Sequence, residues 1–424
     1  MLMMTLLIVT ALAEATDGQE TPAPARWDMD RLMQPPATYP AGELVDQWLE
    51  SHPRHGNPEL CVTGEDVQAL FYEGLPWKGK PTRVFAWWGI PKTEGNEKVP
   101  GIVLAHGGGG TAFDEWVRLW NRRGYAAIAM DLTGTRPGGE PGNRPRHEWG
   151  GPPHAGMQGV DAPVQEQWVY HAVADIVLAH SLLRSFPEVD AGCIGLTGIS
   201  WGGFLTCITA AVDSRFRFAV PVYGCGYLTQ SPAWQAVWKD LGEARTKRWF
   251  DLWDPANYVG NIAMPTLWVN GSNDRHFPLS IHGKSYERCG GQRTLCVQVG
   301  MLHSHVHGWA PEEIYAFADG LAKAGPGLVR ITGQGRAGRE PWVTYAGSPA
   351  LDSAELVYAS DASDWVECEW HTLPAQVDVA NKRVRAALPG DAQVYFFNLV
   401  DDRGLIVSTK NVRVTAGEAQ SPAP

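Results

Sequence analysis

A serine flanked by glycines at fixed spacing is the first feature with chemistry in it. Gly198-Ile199-Ser200-Trp201-Gly202 follows an apolar run at 193–197 and precedes a helix-compatible one at 204–211. Strand, tight turn and helix are the context a nucleophile elbow requires. The serine takes a strained backbone conformation so that its Oγ projects from the carboxyl edge of a sheet, and side chains two positions away would strike neighbouring backbone. A second run, His106-Gly107-Gly108-Gly109-Gly110, comes directly after the apolar stretch 101–105. Amides in a loop without side chains can approach an oxyanion closely, so Gly108 and Gly109, with the amide of Trp201, are the candidate oxyanion donors. The loop fits neither G-x-G-x-x-G nor G-x-x-x-x-G-K-[ST], and nucleotide binding is set aside. His106 reads as a stabiliser of the loop.

A serine hydroxyl becomes a nucleophile when a base takes its proton, and the base must be held by an acid. In a sheet of this kind the chain order is serine, acid, histidine. Asp274 lies in the run 270–278, which leaves the apolar stretch 266–270, where an orienting acid belongs. After the next stretch, 294–299, come His303, His305 and His307. His303 and His305 both stand near the distance expected of the base, and His307 lies closer to a helix beginning near Pro311. Three alternating histidines also raise a zinc site, but clustered carboxylates are missing, and neither metal nor cofactor is expected.

These groups need a frame. Six short β-branched or aliphatic runs (101–105, 125–130, 193–197, 218–222, 266–270 and 294–299) alternate with amphipathic segments. Continuous apolar strands separated by helices predict a three-layer α/β domain with a mostly parallel sheet. The segments 66–72 and 82–90, parted by a Gly/Pro turn region, read as a hairpin before it. Two insertions interrupt the pattern. Residues 133–158 are dense in Gly and Pro and carry His147, Trp149 and His154; residues 223–258 hold Trp234, Trp238, Trp249 and Trp253. Long connections on a rigid scaffold shape binding sites, whereas Trp234 and Trp238, four apart, read first as core. From 325 onward six short alternating segments (342–346, 354–359, 377–379, 383–387, 393–399 and 405–408) predict a small β-sandwich-like domain.

Composition bounds the partners. The chain has 424 residues, 44% hydrophobic and 19% charged, enough for a large core and more than one domain. Its net charge of −11, without a basic run, disfavours nucleic acid and anionic lipid. Residues 1–15 read as an export signal: an apolar run too short to span a bilayer, ending in Ala11-Leu12-Ala13, although no Lys or Arg precedes Arg26. The mature protein is accordingly expected outside the cell or in a periplasm. Residues 16–59 read as a linker or extension and 417–424 as a disordered tail, leaving 60–324 and 325–416 as the two domains. The seven cysteines lack C-x-x-C spacing and predict no disulfide framework.

Taken together, the elbow, the His-Gly-Gly-Gly-Gly loop, the Asp274 loop and the run His303-Ser304-His305 with the segment 308–319 resemble the α/β-hydrolase superfamily. Within it they are similar to secreted acetyl xylan esterases and to dienelactone-hydrolase-like and prolyl-oligopeptidase-type serine hydrolases. The resemblance covers about residues 60–324, and the segment 394–404 resembles a β-rich C-terminal region of some bacterial members. It implies a serine esterase of small acyl groups, acetyl first, on small-molecule or carbohydrate substrates such as plant polysaccharide. A peptidase acting on short peptides is the second reading. Dienelactone hydrolases proper use a cysteine nucleophile, so Ser200 turns the expectation away from lactone opening of that type. A non-catalytic carbohydrate-binding module, motivated by 19 tryptophans, is the third.

Overall fold

In the computed structural model, which describes residues 26–41, 67–93, 95–140, 142–347 and 349–414, the apolar runs form one nine-stranded sheet. Its strands are β1 (Thr38–Pro40), β2 (Gln68–Glu73), β3 (Arg83–Gly89), β4 (Val99–Ala105), β5 (Ala126–Met130), β6 (Val189–Ile199), β7 (Phe218–Val222), β8 (Thr266–Gly271) and β9 (Arg293–Gln298). They lie in the order β1-β2-β3-β5-β4-β6-β7-β8-β9. From β5 to β9 every pairing is parallel; β1, β2 and β3 add antiparallel strands at one side. This is the α/β-hydrolase arrangement. The parallel strands are apolar on both faces because helices cover both.

The helices are α1 (Met29–Leu32), α2 (Asp114–Arg122), α3 (Trp168–Ser185), α4 (Trp201–Val212), α5 (Gln235–Leu241), α6 (Glu243–Trp253), α7 (Leu279–Arg288), α8 (His305–Trp309) and α9 (Glu312–Ala322). Trp120 of α2 and Tyr315 of α9 pack ring to ring at 4.8 Å, while α3 and α4 lie together against the strands. After β4 the chain steps sideways to β5 and then returns past β4 to β6. The carboxyl ends of β4 and β6 are therefore neighbours at the point where the winding reverses, the crevice in which open α/β sheets bind ligands.

Within the stretch 16–59, read as a linker or extension, residues 26–41 contribute structure. Trp27 is buried against Tyr170 and donates its indole N–H to the Tyr170 carbonyl at 2.9 Å, and Thr38–Pro40 pairs with β2. The apolar residues there are too sparse for a periodic pattern, so only tertiary contact reveals them. Residues 1–15, and with them the export reading, lie outside the described residues, as does 417–424. No helix among the described residues is long and apolar enough to cross a membrane.

Beyond α9 two antiparallel sheets face each other. One runs β10 (Arg330–Ala337), β11 (Glu340–Ala346), β15 (Arg383–Arg385), β14 (Gln376–Asp378); the other runs β13 (His371–Pro374), β12 (Leu351–Ala359), β16 (Val394–Asp401), β17 (Ile406–Ser408), with β18 (Val412–Arg413) also on β16. Val343, Leu356, Val384 and Phe397 fill the space between them. This β-rich part also covers β9, the sheet's last strand: the Val297 N–H donates to Ser408 Oγ at 2.8 Å and Asn398 donates to the Val297 carbonyl at 3.2 Å.

Burial sets an acid limit on this fold. The imidazoles of His171, His180 and His282 are enclosed, and desolvation of the charged form holds each at about 4. Unfolded, each takes a proton near 6.5. The unfolded chain thus binds more protons below that pH, and stability falls as pH drops from about 6.5 toward 4. We expect the urea midpoint to fall between pH 7.5 and 5 by the equivalent of about 2 kcal/mol per imidazole. His282, whose two ring nitrogens lack partners among the described residues, gives the sharpest check. His282→Leu narrows the difference between the two midpoints, and an unchanged difference counts against burial as its cause.

Candidate active site

Ser200 stands between β6 and α4 with φ 60° and ψ −116°, a left-handed conformation that a serine keeps only under external constraint. The constraint is close backbone packing. A Cβ on Gly202 would lie 2.0 Å from the Ala105 carbonyl oxygen, and one on Gly198 would lie 2.2 Å from that of Gly202. Any side chain at either position would push α4 off the sheet. The Ser200 N–H is held by the Val222 carbonyl at 2.9 Å, so the hydroxyl is turned to the crevice.

Three of the sequence candidates meet there. Ser200 Oγ lies 2.9 Å from His303 Nε2, and His303 Nδ1 lies 2.6 Å from Asp274 Oδ2. The other carboxylate oxygen of Asp274 accepts from the His276 and Phe277 amides at 2.9 and 2.7 Å, which fixes the plane of the group. The Asp274 side chain is 1% exposed and that of His303 21%, so the acid is dry while the imidazole reaches the crevice. Tyr223 stacks on the His303 ring at 4.3 Å and donates its hydroxyl to the Leu302 carbonyl at 2.7 Å. His276 packs edge-on from another side at 4.9 Å.

His305 is placed elsewhere. It does not reach Ser200; its Nε2 accepts the Gly107 N–H at 2.9 Å, with Phe113 against its ring at 4.8 Å. Burial, with the Arg144 guanidinium nearby, holds it down to about 3, which keeps the accepting nitrogen free of a proton. The alternation that made it a rival of His303 breaks because α8 begins at His305 and swings the ring toward the glycine loop. His307 is exposed and bonds Ser304, the residue that caps the same helix.

In the glycine loop, the Gly107 amide is taken by His305 and the Gly110 amide by the Gly107 carbonyl at 3.1 Å. Gly108 and Gly109 are left with no acceptor among the described residues. Gly108 lies against Trp201, whose Cδ1 would be 2.9 Å from a Cβ there, and Gly109 has φ +68°. The Trp201 amide begins a helix and has no acceptor within it. His106 accepts the Leu132 N–H at 2.9 Å and donates to the Gly107 carbonyl at 2.8 Å; burial lowers its proton affinity.

The two insertions close over this crevice. Asp254 accepts three amides (Tyr227, Leu228 and Ala256, at 2.8 to 2.9 Å) and ties the second insertion down. Of the Trp234 and Trp238 pair, Trp238 is buried and donates to the Leu228 carbonyl. Trp234 instead stands 5.9 Å from Trp201 and 5.5 Å from His276, on the crevice side. Among the described residues no group of three or more His, Cys, Asp or Glu is placed to hold a metal. Sequence reasoning read Trp234 first as core and passed over Tyr223, His276 and Arg144; of these only Tyr223 carried a signal, since it follows a parallel strand at the rim that holds Ser200.

The comparisons agree with this frame. The chain resembles solved acetyl xylan esterases from Paenibacillus sp. R4 (TM-score 0.51, 21% identity, covering 70% of this chain and 100% of that one) and Thermoanaerobacterium sp. JW/SL YS485 (0.50, 19%, 70% and 99%). At such identity the likeness is one of fold. A Bacillus subtilis (strain 168) protein named uncharacterized peptidase YuxL is 28% identical over 264 residues, 57% of this chain and 35% of its own. The chain thus spans about a third of that relative's length. The family model described as acetyl xylan esterase (AXE1) matches residues 59–318, more than half of the chain and all of the elements that carry the crevice, so the chain belongs to the acetyl xylan esterase family.

Proposed function

We propose that this chain is a serine ester hydrolase that removes small acyl groups, acetyl first, from carbohydrate esters such as those of plant polysaccharide. The observation that carries the reading is the line of hydrogen bonds from Asp274 through His303 to Ser200, at 2.6 and 2.9 Å, beside the unengaged amides of the glycine loop. Ser200 Oγ attacks the ester carbonyl as its proton passes to His303 Nε2. Asp274 holds the tautomer that carries the Nδ1 proton and stabilises the imidazolium. The carbonyl oxygen, now an oxyanion, accepts from the Trp201 amide and from Gly108 and Gly109. Collapse expels the alcohol, which takes its proton from His303. Water, deprotonated by the same imidazole, then releases the acid from the acyl-enzyme.

The rings of Trp201 and Trp234 offer flat apolar faces suited to a sugar. Residues 1–15, taken as an export signal, would bring the enzyme to polysaccharide outside the cell. Amide hydrolysis is the second reading, favoured by the name of the Bacillus relative. Acetate release from acetylated xylan and aryl acetates, set against cleavage of peptide anilides, separates the two.

Ser200→Ala and Asp274→Asn are each expected to lower kcat on 4-nitrophenyl acetate by about 10⁴-fold. Unchanged turnover in the first would remove Ser200 as nucleophile. His305→Ala is expected to remain reactive to a fluorophosphonate at Ser200 while its deacetylation rate falls about 10²-fold, the scale of a disturbed oxyanion donor. Loss of that labelling would move the base from His303 to His305.

A further inference from the structure

The acyl-transfer scheme leaves a pair of arginines without a task. Arg144 and Arg146, from the first insertion, line a cavity of about 270 Å³ together with Gly109, Gly110, Thr133 and His154. One wall is the backbone of the glycine loop itself. At the rim, His154 packs edge-on against Trp201 at 5.3 Å. The cavity therefore borders Gly109 directly and Trp201 through His154, the two candidate sides of the oxyanion site.

The charge in this cavity is unbalanced. Every hydrogen bond the two guanidinium groups make among the described residues goes to a backbone carbonyl. Arg144 reaches Gly110 at 3.2 Å, Gly139 at 3.4 Å and Gly109 at 3.5 Å; Arg146 reaches Thr133 at 2.7 Å and also Gly151. Asp131 is the carboxylate that acts on both from a distance. It is buried, and its oxygens are engaged by the Thr133 and Thr135 amides and by the hydroxyls of Thr111, Thr133 and Thr135. Exposed Glu140 acts on Arg144 alone. A carbonyl supplies a dipole and no formal charge, so two positive charges face one small cavity in a chain whose net charge is −11.

The carbonyl contacts have a second effect. They fix each fork in place, with donor N–H groups left over: each guanidinium has five, of which Arg144 uses three and Arg146 two in these bonds. A planar guanidinium held still is suited to a carboxylate, whose two oxygens match its spacing. The volume lies just below the range of about 300–1,000 Å³ usual for drug-sized ligands, and so fits one acidic ring or branch.

We propose that this cavity is a carboxylate subsite, so that the chain deacylates esters of acidic saccharides, those carrying a uronate beside the acylated position, in preference to neutral ones. The inference rests on the reading of Ser200 as the acylated nucleophile. It adds the substrate's charge to that reading and changes no step of it.

The test compares the full chain with Arg146→Gln, whose side chain is exposed, and with Arg144→Gln. Two measurements are made. The first is the ratio of kcat/KM for acetylated methyl glucuronoside to that for acetylated methyl glucoside. The second is calorimetric binding of glucuronate against its neutral analogue glucuronamide. In the unsubstituted chain at low salt the ratio is expected to exceed about ten, and added salt lowers it. Either substitution is expected to reduce the ratio about tenfold and to weaken glucuronate without weakening glucuronamide. A ratio near one, a ratio that survives both substitutions, or equal binding of the two sugars overturns the subsite. Glucuronate binding that depends on Arg146 in a chain that hydrolyses neither ester keeps the subsite and overturns the function proposed for Ser200. Hydrolysis of both esters at equal rates does the reverse.

Discussion

The structure depends on how closely three backbone segments approach one another around Ser200. The first turn of α4 is wedged between the end of β4 and the end of β7: a Cβ on Gly202 would meet the Ala105 carbonyl at 2.0 Å, and one on Gly224 would meet the Phe204 amide nitrogen at 2.0 Å. Two carboxyl ends of parallel strands and a helix N-terminus are thereby locked together. The strained φ of Ser200 costs on the order of 1–3 kcal/mol, and the lock makes relaxing it costlier still. The same lock carries other groups. The glycine loop continues directly from β4, and Tyr223, also at positive φ (61°), continues directly from β7 and presses its ring on His303.

The acid is positioned by a different part of the chain. Asn273, beside Asp274, donates both of its amide hydrogens to the β-rich C-terminal part, at 2.9 Å each to the carbonyls of Val366 and Cys368. The neighbouring Arg275 and Glu367 pair at 3.0 Å with both side chains mostly exposed, a contact worth little in water. The two buried-edge amide bonds therefore do the holding. Together with the cover that β16 and β17 give to β9, they make the C-terminal part a brace for the loops on which Asp274 and His303 sit.

How much of this was legible depends on what fixes each residue. Gly198, Ser200 and Gly202 were readable because a tight strand-to-helix turn restricts residue type at each place. Asp274 was readable because its strand and chain order are set by the sheet. The choice between His303 and His305 was not, since both leave the same strand two residues apart. Which ring turns to Ser200 is decided by Tyr223 and Gly107, the latter 198 residues from His305. Strand β1 hid in a Pro-rich stretch, and β13, with a proline at its end, and β10, with two glycines, lacked the alternation that marked their neighbours. Arg144 had no local signal, because two of its three partners are carbonyls supplied by another loop.

The two histidines show how one field can assign opposite tasks to like groups. His305 is enclosed, lies near the Arg144 guanidinium and has no carboxylate partner among the described residues, so its imidazole stays neutral and can accept the Gly107 amide. His303 has Asp274 at 2.6 Å, so the charge it would take up with the serine proton is met by a carboxylate. The Arg144 charge that adds to burial in keeping a proton off His305 favours a negative oxygen beside Gly108 and Gly109 on the same loop. A protein carboxylate beside that loop and unpaired with arginine would weaken both effects at once. In keeping with this, Asp131, whose carboxylate lies 4.0 Å from His106 at the start of that loop, is buried and enclosed by threonines while arginine stands at the crevice.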